Sequence, residues 1–366
     1  MNIPLLDLNA QYLCIIDEIK NEINKVIEKH NYILGIAVKE FEEDMQSYLG
    51  VKHAIGCASG TDALQLALMA LNINEGEVIT TPFTFFATAS TICRVGAKPV
   101  FTDIDERTFN INPDLIEKSI TDKTRAIMPV HLFGQPAEMD KIVNISKKYN
   151  LKIIEDNAQG IGAIYDGKPA GTIGDIGTLS FFPSKNLGAM GDAGMCLTNS
   201  DDLASKLKQL RVHGENPKYY HKWIGLNSRL DSIQAAVLKI KLKYLNTWSE
   251  NRRENAKLYY ELLAGVKEIK LPFIHEKAIS IFNQFTIICE NRDNLMSHLQ
   301  KNNIGCAIYY PLSLHLQECF SFLNYKIGDF PVSERLSNTV LSLPIYSELN
   351  KEQIEYIAQK IIEFYK

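Results

Sequence analysis

Short β-branched runs alternate with amphipathic stretches between residues 50 and 200, and the texture changes after Leu230. These two observations predict an α/β fold, with a mostly parallel central sheet in a large domain and a smaller C-terminal α+β domain. The first 30 residues hold an expected amphipathic helix with Ile15, Ile16, Ile19, Ile23, Val26 and Ile27 on one side. Glu77–Thr81, Lys98–Ile104, Arg125–Val130 and Leu151–Glu155 are nearly continuous apolar runs, the pattern of strands buried on both faces. Between them, Thr61–Leu71, Thr84–Arg94 and Met139–Tyr149 read as helices, and Leu179–Phe182 and Gly194–Thr198 as two more strands. Asp231–Glu261 reads as one long helix leading out of the sheet, which places a domain boundary near 244–248 and divides the chain into 1–245 and 246–366. Beyond it, Gln284–Cys289 and Ala307–Tyr310 read as strands, Arg292–Asn302 and Lys351–Tyr365 as helices. Internal repeats and low-complexity segments are absent.

Composition narrows the function classes. Lys plus Arg number 39 against 43 Asp plus Glu, a net charge of −4 over 366 residues, which excludes a strongly basic nucleic-acid binder. At 46% hydrophobic residues the chain can bury a large core without disulfides or metals as staples. No apolar run reaches the ~18 residues of a membrane span, and MNIPLLDLNAQYL lacks the features of a signal peptide. The seven cysteines are scattered, with no C-x-x-C pair, and cysteine and histidine never cluster at zinc spacing. The expectation is a cytoplasmic protein of enzyme size with reduced thiols and no metal.

Four short stretches carry chemistry. Asp156 follows the strand Leu151–Glu155, where parallel sheets bind ligands, although a cap or turn role is as common for such an Asp; Gln159, three residues on, can face the same pocket. Lys185 follows a strand broken by Pro183. Such a lysine usually snorkels to solvent, but in a pocket its amine loses its charge more easily and can form a Schiff base. Ser59-Gly60-Thr61 opens a helix, either as an ordinary N-cap or as a phosphate cradle. Phe85 lies just past another strand end, where it either packs in the core or stacks on a flat ring. Together these pieces meet the needs of pyridoxal 5′-phosphate: an acid for the pyridinium nitrogen, a lysine, a stacking aromatic and a helix N-terminus for the phosphate.

The stretches SGTDAL, TPFTFFATA, HLFGQPAEMD, EDNAQGIGA, GDIGTLSFFPSKNLGAMGDAG and GLNSRLDSIQAA resemble the DegT/DnrJ/EryC1/StrS family, fold-type I pyridoxal-phosphate-dependent aminotransferases of nucleotide-linked keto sugars. The resemblance is dense from about Pro4 to about Tyr260. It implies that Lys185 bonds to the cofactor and shuttles a proton, that Asp156 pairs with the pyridinium, and that Gln159 bonds the ring hydroxyl. It further implies that Ser180 joins Gly60 and Thr61 at the phosphate, that Phe85 stacks on the ring, and that Asn227 reaches the cofactor phosphate of a neighbouring subunit. The last role implies a homodimer with composite sites. Arg229 and His213 lie near that crossing segment as candidates for the nucleotide diphosphate or sugar, with an ion pair and a capped loop as their ordinary readings. Tyr309, Tyr310 and His315 resemble a segment lining the sugar pocket, although both tyrosines also suit a strand core.

The implied reaction moves an amino group from L-glutamate to the keto sugar, in a ping-pong sequence through pyridoxamine phosphate. RVHGENPKYYHKWIGLNSRLD looks closer to relatives that aminate carbon 3; a 4-keto sugar or a keto-cyclitol is the alternative. A sugar dehydratase of the same fold carries histidine at the lysine position, so Lys185 counts against it. A non-catalytic sensing or assembly protein is the remaining rival, and the intact Asp156, Gln159 and Lys185 count against that.

Overall fold

A computed structural model describes residues 1–366. Its centre is a seven-stranded sheet assembled from β1 (His53–Cys57), β2 (Glu77–Thr80), β3 (Lys98–Phe101), β4 (Thr124–Ile127) and β5 (Lys152–Asp156). The short β6 (Ile164–Tyr165) and β7 (Lys168–Pro169) follow outside it, and β8 (Ile176–Ser180) and β9 (Gly194–Thr198) complete it. The spatial order is β1-β9-β8-β5-β4-β2-β3. From β8 to β3 all pairings are parallel, and β9 runs antiparallel to both β8 and β1. Side chains alternate across each strand, so the sheet feeds two cores. Ile154 and Ile176 pack with Leu66 and Ala67 on one face; Leu179 and Met195 pack with Phe41 and Leu238 on the other.

A second sheet follows: β10 (Ile269–Lys270), β11 (Ala278–Ile279), β12 (Phe285–Cys289) and β13 (Val340–Leu343) come in chain order, and β10, β12 and β13 form an antiparallel sheet. Its core draws Phe285, Leu341 and Ile357 together with Tyr259 and, from the other end of the chain, Ile3. The short β11 pairs instead with β6.

The structure corrects several expected elements. The long helix is two, Ser232–Leu242 and Leu245–Leu263. Between them Lys243 and Tyr244 donate to Ile240 and Lys241, three residues back, and this tighter turn lets the Tyr244 ring stack on Trp248 at 5.8 Å. The helix expected from Thr84 begins at Phe86, because Phe85 is extended at its N-cap. Ala307–Tyr310 is not a strand: Ala307 makes an isolated bridge to Ser342, and the two tyrosines leave the sheet edge to line a cavity. On the N-terminal helix Ile15, Ile19 and Val26 are buried, while Ile27 faces solvent because the helix rests on its neighbours by a narrower stripe than the six residues suggest.

Candidate active site

Asp156 ends β5 at the C-terminal edge of the parallel strands, and its side chain is only 4% exposed. Thr88 Oγ1 donates to its Oδ2 at 2.7 Å and the Ala158 N–H to its Oδ1 at 3.2 Å. Burial pushes the carboxyl above its ordinary range, and Thr88, the Ala158 N–H and the charge of Lys185 pull it back. Glu155, one residue earlier, points to the other side of the strand and is fully buried. Its oxygens accept from His131 Nε2 at 2.9 Å and from the backbone N–H groups of Gly171, Ile173 and Gly174 at 2.6–2.8 Å. Burial alone would raise this carboxyl as well; His131 and the Gly174 and Gly171 amides outweigh it and hold the group below its ordinary value. His131 Nδ1 accepts from the Ala137 N–H at 3.1 Å, so the ring proton sits on Nε2 and points at Glu155.

Lys185 lies five residues beyond the end of β8, in a segment pinned on both sides. Phe181 and Leu187 are buried, the Ala189 N–H returns to Phe181 O at 2.7 Å, and Asn186 Nδ2 donates to Ile281 O at 3.1 Å. From behind, the wholly buried Lys241 donates Nζ to Gly188 O at 2.5 Å. With its neighbours fixed, Lys185 extends into the cavity that Asp156 floors. Burial lowers its amine to about 8, against an opposing pull from Asp156. A lysine so placed is a substantial fraction neutral near pH 8, the form able to act as base or nucleophile.

The far wall of the cavity, about 450 Å³ in volume, is the start of the helix Gly60–Ala70. Ser59 caps it by accepting from the Asp62 N–H at 3.1 Å, which leaves the Gly60 and Thr61 N–H groups without partners in the helix, at the wall of the cavity, an arrangement suited to an anion. Position 60 has no room for a side chain: a Cβ there would lie 2.6 Å from Ser180 Cβ. Gly194 is equally constrained, since its Cβ would meet Ser59 O at 2.2 Å. The helix start, the end of β8 and the start of β9 therefore close on one another and bring Ser180 to the cradle.

Phe85, 58% exposed, flanks the opening, with its ring centroid 6.3 Å from that of Tyr310. Gln159 accepts from the Phe133 N–H at 2.8 Å and donates Nε2 to Tyr310 Oη at 3.1 Å, keeping one N–H free. Tyr309 lies on the same wall. The cavity thus brings together Gly60, Thr61, Phe85, Asp156, Gln159, Ser180, Lys185, Tyr309 and Tyr310. His315 is elsewhere: it is buried against the Phe330 ring at 4.8 Å, with Nε2 3.1 Å from Glu334 Oε1. Asn227, His213 and Arg229 also lie outside the cavity, on a surface segment; Asn227 and His213 are exposed and Arg229 is half-buried.

Thr88 and Glu155 escaped the sequence reading. Thr88 stands four residues after Thr84, one helical turn on, and the two hydroxyls are 3.1 Å apart; that spacing behind a strand end was the available signal. Glu155 carried none, because a buried carboxylate is recognisable only once its four donors converge.

This donor set fits pyridoxal phosphate: a free amine, a buried carboxylate and unpaired helix N–H groups surround one cavity, and the only missing side chain, at Gly60, is one that the cradle would exclude. The DegT/DnrJ/EryC1/StrS aminotransferase family matches residues 13–362. A "pleiotropic regulatory protein" of Geobacillus stearothermophilus is 48% identical over 100% of this chain and 99% of its own. The UDP-N-acetyl-3-dehydro-α-D-glucosamine 3-aminotransferase of Acidithiobacillus ferrooxidans is 44% identical over 98% and 97%. Among solved structures, S. venezuelae DesV in complex with a ketimine intermediate superposes with a TM-score of 0.98 at 38% identity, covering 100% of this chain and 99% of that one.

Proposed function

We propose that this chain, which belongs to the DegT/DnrJ/EryC1/StrS aminotransferase family, moves an amino group from L-glutamate to carbon 3 of a nucleotide-linked keto sugar. Pyridoxal 5′-phosphate is the cofactor. The observation that carries the reading is the meeting of Lys185, with its amine lowered to about 8, and the buried Asp156 in one cavity whose opposite wall is a helix N-terminus. When bound, the cofactor supplies an electron sink and the carbon that carries nitrogen between the two substrates.

The protein's own groups do the rest. The Gly60 and Thr61 amides and the Ser180 hydroxyl hold the phosphate, and Phe85 covers the ring. Asp156, fixed by Thr88 and Ala158, keeps a negative charge opposite the pyridinium nitrogen, where positive charge is stabilised by a preorganised partner. Gln159 offers its free N–H to the ring hydroxyl. Lys185 Nζ takes the proton from the donor's α-carbon; the amino nitrogen is left with the cofactor, and a water supplies the keto oxygen with which glutamate leaves as 2-oxoglutarate. In the second half Nζ delivers a proton to the sugar carbon that has gained nitrogen, and the keto oxygen departs as water.

Amination at carbon 3 is supported by the Acidithiobacillus relative, whose substrate is a 3-dehydro sugar. Asn227, Arg229 and His213 act across a homodimer interface in this reading, on the neighbour's cofactor phosphate and on the nucleotide diphosphate; their place on an uncovered segment supports that role. A panel of nucleotide-linked 3-keto and 4-keto sugars, with glutamate consumption as readout, tests the proposal. Turnover of a 3-keto member is expected; preference for a 4-keto sugar or a free keto-cyclitol would replace the assigned substrate.

A further inference from the structure

A small chamber of about 50 Å³ adjoins the cavity and shares Ser184, Gln284 and Tyr309 with its wall. That volume holds roughly a few water molecules, or one carboxylate. Arg252, on the helix Leu245–Leu263, lines the chamber and is only 4% exposed. One guanidinium nitrogen, Nη1, donates to Phe282 O at 3.1 Å and Ile345 O at 2.8 Å. Its Nε and Nη2 donate to nothing in the chain. Glu348 attracts the guanidinium without closing an ion pair, and burial lowers Arg252 to about 10. A desolvated cation without a counter-ion is costly to keep.

One neighbouring donor is open too. Gln284 accepts from Asn283 Nδ2 at 2.7 Å and leaves its own Nε2 free. Along the main cavity the only cationic side chain is Lys185, which the chemistry already occupies. A dicarboxylic amino donor brings one negative charge more than the reacting end of the molecule needs.

We propose that the Arg252 chamber binds the distal carboxylate of a dicarboxylic amino donor and so selects it over neutral amino acids. This rests on the aminotransferase reading above. Ser184 and Gln284 mark the passage: the reacting α-carbon sits by Lys185, and the donor's side chain extends past its neighbour Ser184 towards the guanidinium. Nη2 and Nε then form charge-assisted hydrogen bonds to the carboxylate, with Gln284 Nε2 as an additional donor.

The two half-reactions of the holoenzyme, followed separately by cofactor absorbance, test this. In Arg252→Gln, affinity for glutamate should fall about 10- to 100-fold, the loss of a charged hydrogen-bond pair. Arg252→Lys should recover part of it, while reaction with alanine and the sugar half-reaction change by less than about threefold. Equal losses for glutamate and alanine, or in both half-reactions, would mean that Arg252 only supports the fold, and an unchanged glutamate affinity would also overturn the proposal. Should Arg252→Gln fail to fold, the wild-type holoenzyme still decides: glutarate is expected to compete with glutamate and to bind in calorimetry, and butyrate not, whereas equal competition by both sinks the chamber. A wild-type cofactor spectrum that responds to no amino acid overturns the aminotransferase reading as well; a response to glutamate and alanine with equal affinity overturns the chamber alone.

Discussion

The cavity floor and the segment between Arg211 and Arg229 differ in where their polar and apolar groups find partners. On the floor, Asp156 and Glu155 are buried and bonded by Thr88, His131 and four backbone amides, all from one chain. The segment is fastened to the body of the protein near its two ends and between them bonds mainly to itself, as where the His213 N–H donates to Leu226 O at 2.8 Å and the Lys222 N–H to Gly214 O at 2.9 Å. Arg211 reaches Glu42 at 2.5 Å, and Ser228 Oγ accepts from the Ala58 N–H at 3.2 Å. Between those anchors Tyr219 is 77% and Ile224 94% exposed, and Asn227 points no polar group at a partner in the chain. A floor finished within one chain can hold charge in a fixed place before any ligand arrives. An exposed apolar stretch beside unsatisfied polar groups is the usual mark of a surface completed by another molecule, which is the part we assign to a second subunit.

Lys185→Ala should break the floor most severely. Loss of the proton-transferring amine is expected to reduce transamination by about 10⁴-fold or more, with thermal unfolding little changed; turnover near the wild-type rate would remove Lys185 from its role. Asp156→Asn is expected to cost about 10³-fold in kcat, the scale of losing one preorganised electrostatic partner. It should also move Lys185, since Asp156 raises that amine; without the carboxylate its value should fall further below about 8.

The surface segment calls for a mixed-subunit experiment. Asn227→Ala should leave stability within about 0.5 kcal/mol, as expected for an exposed site, yet weaken cofactor retention about tenfold through loss of a phosphate contact. Co-expressed Lys185→Ala and Asn227→Ala chains should recover part of the activity if the site is shared between subunits. No recovery, together with a monomer in sedimentation, would mean that one chain completes the site alone.

The smallest effect is a pH dependence. Lys185 has a lower pKa in the folded protein than in the unfolded chain, so the unfolded state binds more protons between about pH 8 and the ordinary lysine range. The group therefore costs stability below about 8, and the cost is relieved as pH rises through that window. Burial lowers Lys241 to about 8 as well, but that side chain is wholly enclosed. Modification of the cofactor-free protein by an amine-selective reagent, followed at the Lys185 peptide, should therefore show a midpoint near pH 8, and a midpoint in the ordinary lysine range would show that the Lys185 amine is not desolvated.

Much of this architecture was legible in the chain. Met139–Tyr149, Gly194–Thr198 and Lys351–Tyr365 occur with the expected bounds, because long periodic or β-branched runs between turn residues leave few alternatives. The errors share a cause. The break at Lys243, the loss of Ala307–Tyr310 as a strand and the exposure of Ile27 each depend on what lies across from the residue, which local pattern does not record. At the site, Asp156 and Lys185 stood out because each follows a buried strand. His315 stood out equally, in an apolar stretch beside tyrosines, yet it packs on Phe330 away from the cavity.

Sequence by itself determined the order of strands and helices, the residue types that pyridoxal phosphate requires and the resemblance that family membership bore out, since these follow from periodicity and from chemistry carried by single side chains. Only the tertiary structure decided that Gly60 meets Ser180, that Thr88 and Ala158 fix Asp156 and that four donors stabilise Glu155 behind it. It also left the Arg252 guanidinium open beside the cavity. Burial and hydrogen-bond satisfaction are properties of groups distant in the chain, and they exist only once those groups are brought together.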